Sequence, residues 1–501
     1  MKMKWVIGLY TATLIIAKAI IPAPFFNGVN SSRNPDPVPA KAGNHYFRNT
    51  GFPRIKYGAG SVEPGMTNRI RLMSSCIVLL IILSGGSLLA QESQEPLTIE
   101  ESIKIALEQS LNLHSAMVGV KGSEFRQNES VTNFLPQWKG QYSYTRYDTA
   151  TTVGSSGSKG VSRDVYTVNT TINQPLFTGG SNLANYRFQK MGVDFSKTAV
   201  DSLKLDIVLH VREGYFNILK AMKLLDVAQQ NVKQFEAQLD VANAFFKVGI
   251  VAKNDVLQAE VKLAQARQDL VKAENGLAIA KASFNNLLRR EINAPLEVVD
   301  ILKYKPSMLR LEDSFEQALR QRPEIRAAGL NIDQAKENVK IARSGFFPVV
   351  SLTGNYARSA DEIDLQGNLH SDRWTIQALA TFTIFDWGNT YYKVAENKVR
   401  VTQAEDLKKL VIDGIVFEVK QNYLSMVQAE NNIAVAEKAI EQAEENLRMN
   451  QERYKYQVAT ATDVLDAVTL LTQARTNYYT ALGDYNIAKA NIDRAMGIMY
   501  L

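Results

Sequence analysis

Two residue types that carry much of protein chemistry are scarce in this chain. Its 501 residues contain one cysteine, Cys76, and four histidines, which are His45, His114, His210 and His370. The histidines are scattered and have no partners at the spacing of metal ligands, so no metal site is predicted. His210 and Glu213 share one face of a predicted helix, and we interpret them as a solvated pair.

Signals for nucleotide chemistry and for nucleic-acid binding are lacking as well. The segment Gly154 to Gly160 is glycine-rich but lacks the Gly-Lys-Ser/Thr ending of a phosphate loop. The formal net charge of +6 comes from 57 basic and 51 acidic residues scattered along the chain, so it marks no nucleic-acid surface. We therefore predict no enzyme activity, no cofactor and no nucleic-acid partner.

The apolar run near the front of the chain, Cys76 to Leu83, is far too short to span a bilayer. It follows the basic residues Arg69 and Arg71, and small residues separate it from Ala90. This order predicts a secretory signal peptide over residues 66–90, cleaved after Ala90. Because Cys76 leaves with the signal, the mature chain has no cysteine, as suits an exported protein without disulfides.

Residues 1–65 precede that signal and have no helical or strand period. They contain a second apolar stretch, Trp5 to Ile21, followed by sequence rich in proline and glycine. Either Met66 is the true start of the protein, or residues 1–65 are a genuine extended leader. We favour the first interpretation and expect this N-terminal extension to be absent from the mature protein.

The remainder of the chain is duplicated. Adding 212 to the residue numbers places Phe134-Leu135-Pro136 on Phe346-Phe347-Pro348. Adding 208 places Asn254-Asp255-Val256-Leu257 on Thr462-Asp463-Val464-Leu465. Two copies of about 200 residues each favour one fold with an internal two-fold repeat over two unrelated domains. We place the first repeat at residues 91–308 and the second at residues 309–501.

Each repeat contains long helical sequence with a seven-residue apolar period. The first stripe is Leu225, Ala228, Val232, Phe235, Leu239, Ala242 and Phe246, and its counterpart is Ile433, Ala436, Ile440, Ala443, Leu447, Asn450 and Tyr454. A period of 3.5 residues predicts left-handed supercoiling between neighbouring helices. Asn182 to Lys247 contains no proline, and as one helix it would be about 100 Å long, too long for a compact domain.

Before each long helix lie two segments in which apolar and polar residues alternate. They are Trp138 to Tyr147, Val165 to Asn173, Val350 to Tyr356 and Trp374 to Ile384. The alternation predicts four strands of about ten residues, each with one apolar and one polar face. The connecting loops, Val153 to Gly160 and Ser359 to Asp372, have the composition of solvent-exposed hairpin loops.

A soluble sheet packed on a core would explain one such segment, but four of them in an exported chain favour a transmembrane β-barrel. Four strands cannot close on themselves, and lipid tolerates no open sheet edge. Two chains would give a barrel filled by side chains, whereas three chains give three times four strands and room for a lumen. The consistently polar inner face favours three chains.

Together these features resemble the TolC-type outer-membrane efflux proteins. The resemblance covers Leu97 to Leu501 and includes the two Phe-Leu/Phe-Pro marks, Pro175 to Gly180, and Gly249 to Glu260. It implies an α+β fold, in which a homotrimer closes a twelve-stranded antiparallel barrel in outer-membrane lipid, four strands per chain. A long antiparallel coiled-coil α-barrel would extend from it into the periplasm.

The resemblance also implies a role. The chain would be the channel-tunnel component of a tripartite efflux or type I secretion system, a passive exit duct from the periplasm. Its partners would be a periplasmic adaptor (membrane fusion) protein and an inner-membrane pump of the RND or ABC type, which supplies the energy. The sequence leaves the exported substrate open among drugs, metal ions and proteins.

A pore constriction at the periplasmic tip follows from the same resemblance. Asp463 and Asp466 match its paired acidic residues and lie one helical turn apart, so both can face the lumen. The alternative for this pair is helix capping after Thr460 and Thr462, because acidic residues are common in a first turn.

The resemblance implies tip closure as well, since Asp255 and Tyr454 match residues that hold the tip closed by hydrogen bonds between helices. Two positions depart from the family pattern. Ala459 stands where a basic partner is expected, and Gln457 replaces the glycine that the first repeat has as Gly249. We therefore expect the closing network to be weaker or built differently.

Two other classes remain open on the sequence. A structural or adhesive coiled-coil protein of the outer membrane, without transport, would explain the heptads but not the four amphipathic strands. A porin-like channel would explain the strands but not the helices of about 100 Å.

Overall fold

The computed structural model describes residues 96–153, 160–366 and 370–499. The predicted N-terminal extension and signal peptide, with His45 and Cys76, lie outside these residues. Within the described part of the chain, no helix combines the length and the apolarity needed to cross a membrane.

The same order of elements occurs twice along the chain. The first half consists of α1 (Ile99–Gln109), α2 (Leu111–Thr132), β1 (Gln137–Val153), β2 (Gly160–Thr178), α3 (Ser181–Lys247) and α4 (Lys253–Leu287). The second half consists of α5 (Leu311–Gln321), α6 (Pro323–Arg343), a 3₁₀ turn (Ser344–Phe346), β3 (Val349–Ala360), β4 (His370–Thr381), α7 (Asn389–Lys455) and α8 (Ala461–Ala495). Both α3 and α7 have 67 residues, which corresponds to about 100 Å and confirms the predicted long helices.

The four strands form one antiparallel sheet in the order β1-β2-β3-β4. Lys139 of β1 lies opposite Thr171, which lies opposite Asn355, which lies opposite Thr375 of β4. Each inner strand thus has two neighbours, whereas β1 and β4 leave one backbone edge unpaired within the described residues. This is the open four-stranded sheet that the alternation predicted.

The predicted strand lengths were wrong. The strands have 17, 19, 12 and 12 residues instead of about ten. β1 and β2 continue through polar pairs such as Thr151 and Ser162, whose sequence carries no apolar alternation. β4 ends at Thr381, so Phe382 and Ile384 lie outside the strand. Thr381 pairs with Val349, the first residue of β3, and no partner strand remains beyond it.

The chain turns from sheet into long helix through two consecutive residues in the left-handed region. In the first repeat these are Gly179 (φ 63°) and Gly180 (φ 89°). A Cβ atom on Gly179 would lie 2.5 Å from the carbonyl oxygen of Ser344, so only glycine fits there. The second repeat uses Trp387 (φ 57°) and Gly388 (φ 80°), and the Trp387 side chain is exposed. Such a backbone costs a tryptophan about 1–2 kcal/mol.

The linker between the two halves is pinned to helices from both of them. Tyr215 of α3 is fully buried, and its hydroxyl lies 3.0 Å from the Leu97 carbonyl and 2.8 Å from that of Val299. Tyr485 of α8, equally buried, donates to the carbonyl of Lys305 at 2.7 Å. Because both phenols reach backbone carbonyls of the linker, residues 297–305 are held against the middle of the long helices.

A partly buried charge cluster joins helices α3, α6, α7 and α8. The side chain of Arg322 is only 4% exposed and contacts Glu324 at 2.9 Å and Glu418 at 3.0 Å. Arg494 reaches the same Glu418 at 2.8 Å and also Asp206 of α3 at 2.7 Å. Buried charges persist only when they are paired and hydrogen-bonded, so this cluster fixes the relative positions of α3, α6, α7 and α8.

Towards the far end of the helices, the heptad stripes form one apolar core from α3, α4, α7 and α8. One predicted member of the stripe is wrong, since Phe246 is 40% exposed. Its neighbour Phe245 packs on Tyr454 instead, with ring centroids 5.3 Å apart. An α-helix has 3.6 residues per turn, so a strict seven-residue stripe drifts off the contact face over several heptads.

Candidate site at the helical tip

The tip of the chain consists of two turns that use the same backbone motif. At the end of α3, the Gly249 N–H bonds to the Phe246 carbonyl at 3.0 Å, and the Ile250 N–H bonds to Phe245 at 2.9 Å. At the end of α7, Gln457 and Val458 make the equivalent bonds at 3.0 and 2.8 Å. Gly249 and Gln457 both adopt a left-handed backbone, with φ of 77° and 62°. Because Gln457 has a side chain and Gly249 has none, only the second turn is sterically strained by this conformation.

The first turn of α8 is closed by a capping box. The Asp463 carboxylate accepts hydrogen bonds from the backbone N–H and the hydroxyl of Thr460, both at 2.8 Å. The Asp463 N–H in turn donates to the Thr460 hydroxyl at 3.2 Å. These bonds from Thr460 lower the pKa of Asp463 below its ordinary value. The capping role that the sequence left open is therefore present, and the side chain stays exposed at the tip.

Asp466 lies one turn further along α8 and faces α4. Its carboxylate is 3.6 Å from the Nζ of Lys262. One turn closer to the tip, the Thr462 hydroxyl donates to the side-chain oxygen of Gln258 at 2.8 Å. These two contacts connect the first-repeat helix α4 to the second-repeat helix α8.

Lys262 was missed by the sequence reasoning, which named no basic partner for Asp466. A signal for it was present, because Lys262 lies four residues after Gln258 and so shares its helix face. Asp466 therefore has a basic neighbour on α4. Ala459, where a basic residue was expected, packs against the apolar core of the tip.

Tyr454 and Asp255 are brought close together without a hydrogen bond to the phenol. The Tyr454 side chain is 4% exposed, and its hydroxyl has no hydrogen-bond partner among the described residues. Burial, together with the nearby charge of Asp255, raises the pKa of Tyr454. A buried hydroxyl without a partner costs about 1–3 kcal/mol, so this group gains stability from any acceptor that approaches it.

The predicted pair of His210 and Glu213 lies in the middle of α3, away from the tip. His210 Nδ1 lies 3.3 Å from a Glu213 carboxylate oxygen on the surface, as the solvated-pair interpretation predicted. Across residues 96–153, 160–366 and 370–499, no group of three or more histidine, cysteine, aspartate or glutamate side chains is placed to hold a metal ion.

Comparison with known proteins gives a consistent result. A family model described as "Outer membrane efflux protein" matches residues 102–288 and 315–498. The chain is 24% identical to the outer membrane protein TolC of Vibrio cholerae over 298 residues, covering 58% of this chain and 68% of that protein. It is 22% identical to TolC of Escherichia coli K12 over 389 residues, covering 74% and 76%.

The fold is also similar to solved channel structures. The Campylobacter jejuni CmeC outer membrane channel superposes with a TM-score of 0.68 at 18% identity, over 80% of this chain and 85% of that one. The match to the family model covers both halves of the chain, including both long helices. This confirms the resemblance and the outer-membrane location inferred from the sequence, and the chain belongs to the outer membrane efflux protein family.

Proposed function

We propose that three copies of this chain form a passive exit duct from the periplasm through the outer membrane. The observation that carries the proposal is the open sheet, with an apolar and a polar face, joined to helices of about 100 Å. An open edge is not tolerated in lipid, so β4 of one copy must pair with β1 of the next. Three times four strands give a barrel with a lumen.

Exposed apolar stripes on the helices support assembly with further copies. They share a spacing of about seven residues on faces that have no partner within the described chain. On α2 the stripe is Leu111, Val118 and Phe125, and on α7 it is Leu410, Phe417 and Leu424. The exposed fractions of these side chains run from 48% to 71%. Large exposed apolar surface of this kind marks a protein interface, and a ring of identical chains would cover it.

The two halves of the chain have the same order of elements, so such a ring would consist of six similar units. Because each chain contributes two long helices and two helices of 35 residues, three chains surround an axis with twelve of them. We infer that the resulting α-barrel extends the lumen into the periplasm. There it meets an adaptor protein and an inner-membrane pump of the RND or ABC type. The duct itself supplies no energy and carries out no enzymatic reaction.

The tip is the proposed gate. Three copies of Asp463 and Asp466 would surround the axis as two acidic rings, and low-dielectric walls would focus their field on passing ions. The contacts of Lys262 with Asp466 and of Gln258 with Thr462 hold α8 against α4. We infer that they keep the tip closed, together with Asp255 and Tyr454, and that opening requires α7 and α8 to move away from α4.

Native mass spectrometry and planar-bilayer recording test the proposal together. The purified protein should be a trimer in detergent and should form cation-preferring channels that multivalent cations block. Asp463→Ala/Asp466→Ala should assemble normally and lose both the preference and the block. A monomer with full strand content contradicts the duct, and a trimer without conductance favours the structural or adhesive alternative. Unchanged selectivity in the double variant would reduce the two aspartates to helix-capping residues.

We also infer that the exported chain begins at Gln91, after removal of residues 66–90 as a signal peptide, and that residues 1–65 are absent from it. N-terminal sequencing of outer-membrane material measures this directly. A mature protein that retains residues 1–65 contradicts both parts of the inference.

A further inference from the structure

The two faces of the sheet differ in how their charges are paired. Side chains of the polar face hydrogen-bond across the inner strands. The Asn355 amide donates to Asn169 at 2.7 Å, and the Thr353 hydroxyl donates to Asn173 at 3.1 Å. These contacts, together with the strand register, show that one face is formed by the odd-numbered residues of β1 before Arg146, of β2 before Phe177, and of β3 and β4.

Three cations belong to the polar face. They are Lys139 in β1, Arg163 in β2 and Arg373 in β4, and all three are exposed. None of them makes a hydrogen bond or an ion pair with a described residue. The strand register pairs no aspartate or glutamate with these cations, and Asp148 of β1 lies in the irregular segment between Arg146 and Thr151, which has no register partner in β2.

The opposite, apolar face pairs its charges. Arg146 lies 3.7 Å from Asp164, and Arg358 lies 3.6 Å from Asp372. Asp164 and Asp372 are the two aspartates in the paired segments of the strands, and both contact arginines of the apolar face. Within the strand segments that the register pairs, the polar face has no negative charge, and the two cations and two anions of the apolar face balance.

The strand register places the three cations at two levels. Arg373 shares a row with Gln141, through Asn169 and Ala357, and that row is two residues from Lys139. At about 3.4 Å per residue this is a separation of about 7 Å along the strands. Arg163 lies six residues from Asn169 along β2, or about 20 Å nearer the β1–β2 hairpin.

We propose that the barrel lumen is an anion-binding section of the duct, opposite in sign to the acidic tip, and that it favours anionic solutes on their way out. The proposal rests on the trimeric duct described above, which turns the polar face inwards. Three copies of Lys139 and Arg373 form one basic level, and three copies of Arg163 form a second level nearer the mouth. The low-dielectric wall focuses the field of these charges, so a multivalent anion is held more strongly than a monovalent one.

The test uses tripolyphosphate as the probe in planar bilayers of uncharged lipid. Protein added from one compartment inserts its barrel first, so the mouth opens into the opposite compartment. Tripolyphosphate in that opposite compartment should block the wild-type current at low salt. In K139Q/R163Q/R373Q the half-blocking concentration should rise by about tenfold or more. At 1 M salt, where screening acts over about 3 Å, the wild-type block should disappear.

R146Q is the matched control, because it removes one cation of β1 from the apolar face. It should leave the half-blocking concentration at the wild-type value. The inference is overturned if the triple variant is blocked as strongly as the wild type, or if R146Q weakens the block equally. The pair variant K139Q/R373Q provides a second measurement should the triple variant fail to assemble. A protein that forms no trimer and no channel overturns the proposed duct itself, and the anion section with it.

Discussion

In the proposed trimeric duct, replacing Lys262 by glutamine should loosen the tip. The substitution removes the positive charge that faces Asp466 across the α4–α8 contact, where Nζ and the carboxylate oxygen are 3.6 Å apart. It keeps a long polar side chain on the helix. The capping box at Thr460 and Asp463 is built within α8 and should remain intact.

The magnitude follows from the exposure of the pair. The side chains of Lys262 and Asp466 are 40% and 61% exposed, so solvent screens much of their attraction. Exposed pairs of this kind contribute about 0.2–1 kcal/mol each, and the three pairs of the proposed trimer would together contribute about 0.6–3 kcal/mol to its closed state. At 1.4 kcal/mol per tenfold change, the ratio of open to closed channels should rise by roughly 3- to 150-fold.

Single-channel recording of the assembled protein measures this ratio. Lys262→Arg should behave as the wild type, because it keeps the charge. Lys272→Gln is the matched control, since Lys272 is on the same helix and pairs only locally, with Asp269 at 2.9 Å. In Lys262→Gln/Asp466→Asn the second change should add little to the first, because the two residues act as one pair. The reasoning is refuted if Lys262→Gln and Lys272→Gln have equal open fractions.

Three further predictions concern stability. Gln457→Gly should stabilise the α7–α8 turn by about 0.5–1 kcal/mol, because glycine adopts positive φ without strain, and amide exchange at residues 450–460 should become slower, not faster. Gly214→Ala should destabilise the protein by about 1–3 kcal/mol in thermal unfolding, because its Cβ would lie 2.7 Å from the buried ring of Phe284. Gly122→Ala, in open space, should cost nothing, and equal stability of the two variants contradicts the clash. The lowered pKa of Asp463 means that its cap contribution is complete above the ordinary value of 3.8 and is lost as pH falls through the lower folded pKa. Loss of the cap should therefore add to amide exchange in the first turn of α8 as pH falls through that folded pKa. Asp463→Asn should abolish this pH-dependent increase.

The helices could be predicted closely because their signals are local. The stretch Asn182 to Lys247 was identified from its period and its lack of proline, and α3 spans Ser181–Lys247. The strand ends could not be predicted in this way. β1 and β2 continue through the pairs of Thr151 with Ser162 and Thr152 with Val161, and whether a threonine extends a strand depends on the partner opposite it. The end of β4 likewise depends on where β3 begins, which no pattern within β4 records.

The tip shows the same division between local and non-local information. The two residues of the Thr460–Asp463 capping box are three positions apart, and this spacing in the sequence was enough to suggest capping. The contact between Lys262 and Asp466 depends on the approach and relative stagger of two separate helices. Heptads indicate that helices pack, but the rotation and stagger that bring one particular lysine to one particular aspartate depend on the whole core.

The duplicated scaffold also gives one position two different roles. Asp255 and Asp463 are both the third residue of their helices, α4 and α8. The residue before α8 is Thr460, whose hydroxyl and N–H engage Asp463, whereas the residue before α4 is Ala252, which provides no side-chain cap. Asp463 is therefore occupied by its own helix. Asp255 has no such cap, and its charge acts on the buried hydroxyl of Tyr454 instead. A single hydroxyl at the start of a helix thus decides which aspartate of the pair remains available for contacts between helices.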